Sequence, residues 1–148
     1  MRQILIPGLK STVTINQDSY GVSHVFAQNE LDLFFAQGYV TAKDRLVQLE
    51  LMRRKGKGRL AEILGPTQLD SDWFELTLGL SLTADAQLQE YQRTGSYMLE
   101  IIQSYASGVN AHMDSLRSSK KWPAFFQVAG YEPAPWTAID TLIVQGLI

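Results

Sequence analysis

The sequence predicts an α+β fold in which most of the chain is helical and one β-hairpin stands near the N-terminus. Alternating residues typical of a strand occur at 11–15 and again at 22–27, separated by a polar turn that ends at Gly21. Apolar residues at helical spacing run through most of the remaining chain. A two-stranded ribbon is at best marginally stable in water and leaves both edges unpaired. We therefore expect this hairpin to join a larger sheet whose other strands lie outside this chain.

The longest helical pattern follows the second strand and runs from Glu30 to about Lys55. Its apolar residues recur every three or four positions and form a stripe wide enough to be buried. Asn29 is the predicted N-cap, and Asp32 lies three residues later in the capping-box position. The predicted end of the helix combines a basic run with glycine breakers: Arg53, Arg54, Lys55, Gly56 and Gly58.

Shorter helices are predicted in the middle of the chain. One spans 59–64 and is closed by the Gly65–Pro66 pair. Another runs from 73 to about 79, with the polar residues 70–72 as its cap. Residues 83–91 form a further helix or continue the preceding one as a broken helix.

A second long helix is predicted from residues 94–96 to about Leu116. Gly108 lies in its interior, where glycine costs about 0.5–1 kcal/mol relative to alanine. We interpret Gly108 as a point of close backbone packing against a neighbouring element.

The last predicted helix begins at Thr137, which forms a capping box with Asp140, and continues to Ile148. An apolar helix end without a cap leaves carbonyl groups unsatisfied. The sequence therefore favours a truncated or proteolysed piece of a longer protein.

The composition excludes several classes of protein. With 45% hydrophobic and 10% aromatic residues, the chain can fill a core. A net charge of −2 provides no global basic field for nucleic acid, and the lack of cysteine excludes disulfides and thiolate metal sites. No apolar run approaches the roughly 20 residues of a membrane span. The apolar run at 4–6 is too short for a signal peptide, so the chain starts in the cytoplasm or a leader was removed.

Two histidines, His24 and His112, are the obvious candidates for catalysis. A triad through His24 is conceivable, but the sequence contains no GxSxG nucleophile elbow. We favour His24 as a hydrogen-bonding residue on its strand and His112 as a surface residue of its helix. No HExxH or comparable metal-binding spacing is present.

Charged residues of the first long helix allow two interpretations. Asp44 could act as a general base and Arg45 as an anion clamp, or both could belong to a partly buried ion network. The basic residues within 53–59 could bind nucleic acid, or they could stabilise a helix C-terminus with Glu50 pairing to Arg54. In both cases we favour the structural interpretation.

Three tryptophans could line an apolar binding pocket, although core packing is the commoner role of any single tryptophan. They are Trp73, Trp122 and Trp136.

Several motifs, in this order and with this spacing, resemble the start of the α subunit of the penicillin acylase (penicillin amidase) family, whose members are N-terminal nucleophile hydrolases. They are Gly21-Val22-x-His24, Phe35-Ala36-Gln37-Gly38-Tyr39-Val40, Ala42-x-Asp44-Arg45-Leu46, Arg53-Arg54, Gly58-Arg59-Leu60-Ala61-Glu62 and Tyr105-Ala106-x-Gly108-Val109-Asn110-Ala111.

The resemblance implies an αββα sandwich formed by two chains cut from one precursor. The β chain then supplies an N-terminal serine as nucleophile and the oxyanion hole, so no catalytic, cofactor-binding or metal-binding residue is expected in this chain. A structural calcium ion is possible in the complete enzyme. The resemblance also favours a periplasmic or secreted enzyme.

The sequence thus predicts that residues 1–148 form one unit, the N-terminal part of an acylase α subunit, and not an independent domain. Its expected partners are the β chain and a small amide substrate, with no nucleic acid and no membrane. The complete enzyme would hydrolyse a linear amide such as the acyl side chain of a β-lactam or an acyl-homoserine lactone, and this chain alone would be inactive. The alternatives are a helical interaction module that binds nucleic acid or an acidic partner through Arg53–Arg59, and a non-catalytic acylase homologue.

Overall fold

The computed structural model describes residues 8–147 of the chain. Two strands and seven α-helices lie in this part, and they confirm the predicted, mostly helical α+β class. The elements are β1 (Thr14–Gln17), β2 (Ser23–Phe26), α1 (Glu30–Gly56), α2 (Ala61–Leu64), α3 (Leu69–Leu78), α4 (Leu80–Thr94), α5 (Tyr97–Ser119), α6 (Ala124–Ala129) and α7 (Ala138–Gln145), with a 3₁₀ turn at Pro66–Gln68.

The two strands form an antiparallel hairpin in which Thr14 pairs with Phe26 and Gln17 with Ser23. Each strand is shorter than predicted, and β1 begins three residues later than expected. The backbone N–H of Ser11 donates to the Asp32 carboxylate at 2.8 Å, which binds this segment to α1 before the hairpin begins. Between residues 8 and 147 no third strand joins the sheet.

The predicted N-cap of α1 is confirmed, because the backbone N–H of Asp32 donates to the Asn29 side chain at 2.9 Å. The reciprocal half of the capping box is not formed. The buried Asp32 carboxylate accepts instead from the backbone N–H groups of Lys10 and Ser11, each at 2.8 Å. Asp32 thus attaches the segment before β1 to the start of α1.

The interior of α1 departs from the predicted continuous helix. Arg45 has φ −136° and ψ 24°, outside the helical region, so two helical pieces meet at this residue in a kink. Proline and glycine are common causes of kinks, and neither stands next to Arg45. The sequence pattern therefore carries no signal for it.

The main packing of the fold is between α1 and α5. A Cβ atom added to Gly108 would stand 1.8 Å from the Phe35 carbonyl oxygen, and one added to Gly38 would stand 2.1 Å from the Tyr105 carbonyl oxygen. The two backbones therefore touch at two glycines, one on each helix. This confirms that Gly108 marks a close approach between elements.

Two hydrophobic clusters form the interior of residues 8–147. The larger joins α1, α5 and the chain after α5; it comprises Ala42, Leu46, Leu49, Ala106, Val109, Met113, Trp122, Phe126 and Trp136. The smaller lies where α4, α5 and α7 meet and comprises Ala84, Ile102, Leu142 and Ile143. The helices thus enclose a core of their own.

The middle of the chain differs from the prediction in one important detail. Helix α3 begins at Leu69, four residues before the predicted start, and residues 70–72 do not cap it. The Asp72 carboxylate accepts instead from the backbone N–H groups of Leu60 at 2.7 Å and Ala61 at 2.8 Å, and so caps α2 from a distance. Gly79, in the left-handed region with φ 71°, separates α3 from α4.

The end of the chain is close to its prediction. The capping box of Thr137 and Asp140 at the start of α7 is confirmed. Helix α6 was not predicted, and α7 ends at Gln145. The predicted apolar end at Ile148 and the N-terminal run at 4–6 lie outside the described residues.

Candidate functional site

His24 forms a hydrogen bond to the turn of the hairpin. Its Nε2 lies 3.1 Å from Asp18, whose carboxylate also accepts from the backbone N–H groups of Tyr20 and Val22 at 2.9 Å. The hydrogen bond to His24, followed by that from Val22, lowers the pKa of Asp18 below its ordinary value. The structural interpretation of His24 is confirmed: it is an exposed residue of β2 that hydrogen-bonds to the turn before that strand.

The sequence predicted a surface position for His112, and this prediction is wrong. His112 is half-buried beside Tyr39. The two rings meet edge to face with centroids 5.3 Å apart. Burial, and then the nearby Lys43, lower the pKa of His112, which favours the neutral ring. Its Nδ1 is buried without a hydrogen-bond partner among the described residues. Within residues 8–147 no serine or threonine hydroxyl is hydrogen-bonded to either histidine ring.

Asp44 and Arg45 are exposed, and the expected partly buried ion network around them is wrong. Neither forms an ion pair with another residue of the described chain. Both line a groove of about 600 Å³ that follows α1 and reaches His112 and Leu116 of α5. We call this the kink groove, because Arg45 is the residue at which α1 departs from helical geometry.

The basic residues after the kink are paired, which confirms the structural interpretation of this run. Arg54 donates to Glu50 at 2.7 Å, the pair expected from the sequence, and to Glu62 at 2.7 Å. The remaining pairs are Arg53 with Glu50 and Asp140, Lys55 with Glu75, Lys57 with Asp140, and Arg59 with Glu62.

Arg53 is the centre of this network and is 5% exposed. Its guanidinium also donates to the backbone carbonyl groups of Ala134 and Pro135, at 3.1 and 3.3 Å. Burial by itself would raise the pKa of Asp140, but the hydrogen bonds from Lys57 and Thr137 lower it below its ordinary value. The network therefore holds the segment before α7 against the end of α1.

The three tryptophans have two different environments. Trp122 and Trp136 are buried in the larger core cluster, as core packing predicts. Trp73 is 75% exposed, so its expected core role is wrong. It lies on α3 with other exposed apolar side chains: Leu69, Phe74, Leu76 and Leu78.

The hairpin leaves three apolar side chains uncovered within the described part of the chain, one in the turn and two on or next to β2. Tyr20 is 91% exposed, Val22 53% and Phe26 60%. Val13 is buried by the chain itself, whereas Ile15 and Val25 are half-buried. Exposed apolar side chains beside unpaired strand edges are typical of a surface that binds another polypeptide.

No metal centre is visible in residues 8–147, where no three His, Cys, Asp or Glu side chains come together. The calcium ion expected of the complete enzyme stays a prediction. None of the described helices combines the length and apolar character that crossing a membrane would need.

Two structural features near these candidate residues were not predicted from the sequence. One is Asp72, a buried carboxylate that caps a helix eleven or more residues away, and no local signal identifies such a partner. The other is the kink at Arg45. Glu50, by contrast, could have been recognised as the shared partner of Arg53 and Arg54 from its spacing of three and four residues.

Comparison with known proteins accounts for nearly the whole chain. The family model described as penicillin amidase matches residues 12–148. The penicillin acylase 2 proenzyme of Pseudomonas sp. (strain SE83) is 36% identical over 140 residues, which are 95% of this chain and 17% of that protein. The acyl-homoserine lactone acylase QuiP of Pseudomonas aeruginosa is 34% identical over 143 residues, 97% of this chain and 16% of that protein.

A solved structure has the same fold. The thermostable penicillin G acylase from Alcaligenes faecalis superimposes with a TM-score of 0.78 at 28% identity, over 91% of this chain and 70% of that chain. This chain spans about a sixth of the length of the curated relatives that it matches. Since the family model covers all but the first eleven residues, the chain belongs to the penicillin amidase family.

Proposed function

We propose that this chain is the N-terminal part of the α subunit of a self-processing, penicillin acylase-like amidohydrolase. Its partner is a β chain cut from the same precursor, and its role is to support that chain and to shape one wall of the cleft. The match to a penicillin acylase proenzyme over 95% of this chain supports the assignment.

One structural observation carries the proposal. The helices enclose two hydrophobic clusters, while the hairpin next to them leaves Tyr20, Val22 and Phe26 uncovered. A hairpin of four-residue strands needs further strands or a covering layer to be stable. A β chain that continues the sheet provides both.

The chemistry belongs to the β chain in this proposal. Its N-terminal serine hydroxyl attacks the amide carbon while its own α-amino group accepts the proton. The C–N bond of the tetrahedral intermediate then breaks, the amine leaves with that proton and an acyl-enzyme ester remains, which water hydrolyses to the free acid and the serine. Hydrogen-bond donors of the β chain stabilise the oxyanion. The substrate is a linear amide, such as the acyl side chain of a β-lactam or an acyl-homoserine lactone, in agreement with the names of the two relatives.

The nucleic-acid alternative receives less support from the ion pairs. Each of the five cations between Arg53 and Arg59 lies within 4 Å of a carboxylate of the chain. Lys and Arg side chains bind nucleic acid by neutralising its phosphates, which releases the counterions of the nucleic acid. The five cations of this run are already neutralised by the carboxylates beside them. Strong, salt-dependent binding of DNA to the complete protein would revive this alternative.

The experiment is expression of the complete reading frame, followed by separation of the chains and assays with a penicillin and an acyl-homoserine lactone. We expect two chains, hydrolysis of one of these amides, and loss of hydrolysis when the first serine of the second chain is replaced by alanine. A single unprocessed chain, or two chains without amide hydrolysis, would contradict the proposal. The second result is the outcome expected of a non-catalytic homologue.

A further inference from the structure

The kink groove combines an apolar floor with a charged rim. Leu46 on its floor is buried, and the floor continues along half-buried Val47, Leu51 and Leu116. Concave apolar surfaces with a few polar groups at their rim are the usual form of binding sites. A volume of about 600 Å³ is enough for several side chains of a partner.

The rim of the groove contains cations that have no ion-pair partner within residues 8–147. Three of its residues are basic, namely Lys43, Arg45 and Lys121, and Asp44 is the one acidic residue that lines it. Among residues 8–147, five Lys and Arg residues form no ion pair with a carboxylate of the same range: Lys10, Lys43, Arg45, Lys120 and Lys121.

The cations of the basic run at the end of α1 differ from those of the kink groove. There, every cation has a carboxylate partner within the chain, although the run is denser. In the kink groove three exposed cations lie beside apolar side chains and have no carboxylate partner in the described part of the chain. The chain as a whole carries a net charge of −2, so this positive rim is a local feature.

We propose that the kink groove is the docking site of an acidic segment of the second acylase chain, in which a carboxylate flanked by apolar side chains pairs with Arg45. This proposal rests on the proposed function, because that function supplies the second chain. The positive rim is complementary to the carboxylate and the floor to the apolar side chains. A polyphosphate fits less well, since it would leave the apolar floor uncovered.

The chain contains no cysteine, so a single introduced thiol reports on the groove directly. Gln48→Cys places the thiol at an exposed position that lines the groove, and Gln92→Cys places it at an exposed position on α4 as the matched control. Each variant is made in the complete reading frame. The rate of thiol labelling on this chain is measured in the assembled enzyme and again in urea.

We expect assembly to slow the labelling of Gln48→Cys by at least about tenfold relative to urea, and to leave Gln92→Cys nearly unchanged. Assembly could change the labelling rates of the two cysteines by the same factor in an enzyme that still hydrolyses its amide. In that case the docking proposal is wrong and the proposed function stands. If no second chain forms, both fail.

A charge reversal identifies the role of Arg45. Arg45→Glu breaks no ion pair within the described chain, whereas Arg93→Glu breaks the exposed pair with Glu90. We expect Arg45→Glu to raise the dissociation constant of the two chains by at least about tenfold, and Arg93→Glu to leave it unchanged. Equal dissociation constants for the two variants would overturn the assignment of Arg45.

Discussion

The helical part of the chain buries its apolar side chains against one another, whereas the hairpin leaves several of its own exposed. Helices α1 and α5 approach until backbone touches backbone at Gly38 and Gly108, and the side chains around that contact are buried. The hairpin contributes a single pair of strands, and its outer side chains Tyr20, Val22 and Phe26 remain exposed.

The difference shows which part of the structure depends on a partner. A helix satisfies its own backbone hydrogen bonds, so a few helices need only apolar contact with one another. A strand satisfies half of its hydrogen bonds through each neighbour, so a two-stranded sheet always leaves two edges open. We expect substitutions in the helical part to change folding and substitutions on the hairpin to change assembly.

The largest expected effect is that of Gly108→Ala. Alanine is the better helix former by about 1 kcal/mol, so local propensity alone predicts stabilisation. The added Cβ would instead stand 1.8 Å from the Phe35 carbonyl oxygen and force α1 and α5 apart. We expect the free energy of unfolding of the assembled enzyme to fall by about 3 kcal/mol, measured by urea denaturation.

The matched control for this prediction is Ser107→Ala, one residue earlier on the exposed side of α5. It removes one side-chain hydrogen bond to the Gln103 carbonyl group, and we expect a change within about 0.5 kcal/mol. If Gly108→Ala proved as stable as Ser107→Ala, the backbone contact between the helices would be refuted.

A smaller effect is expected of Phe26→Ser on the hairpin. Phe26 is 60% exposed within the chain, so little contact inside the chain is lost. If a second chain covers the hairpin, the substitution removes a buried aromatic ring from that interface and should weaken assembly by about 2 kcal/mol. The dissociation constant of the two chains, obtained by native mass spectrometry over a dilution series, measures this.

Val128→Ser on α6 is the control for Phe26→Ser, because Val128 is 90% exposed and lies outside the hairpin. We expect its dissociation constant to match that of the unaltered enzyme. Equal weakening by both substitutions would show that the effect is not specific to the hairpin, and no weakening by Phe26→Ser would remove the hairpin from the interface.

The sequence was sufficient for those features that depend on local chemistry. The cap at Asn29, the capping box at Thr137 and the Glu50–Arg54 pair all involve residues within four positions of each other. The role of Gly108 was also predictable, since glycine inside a helix needs a reason.

Features set by distant contacts were not predictable. Asp72 caps α2 because the fold brings the two together, and its own position suggested a cap for α3. Asp44 and Arg45 are exposed at the kink of α1, for which the sequence has no marker. The surrounding apolar pattern therefore favoured burial and was misleading at this site.

The smallest expected effect concerns Asp32, which connects the two parts by accepting from the backbone N–H groups of Lys10 and Ser11 at 2.8 Å. Burial by itself would raise its pKa, but the hydrogen bonds from Lys10, Asn29 and Ser11 lower it below its ordinary value of 3.8. The carboxylate is therefore more acidic in the folded chain than in the unfolded chain. Its contribution is complete above pH 3.8 and is lost as the pH falls through the folded pKa.

Asp32→Asn removes this contribution at neutral pH, where we expect a loss of about 1 kcal/mol in urea denaturation of the assembled enzyme. The difference between Asp32→Asn and the unaltered enzyme should shrink as the pH is lowered from 7 to 3, because protonation removes the same charge from the unaltered chain. Asp85→Asn, an exposed position on α4, should show no such convergence. A constant difference at every pH would mean that shape, and not the charge of Asp32, attaches the N-terminal segment to the helices.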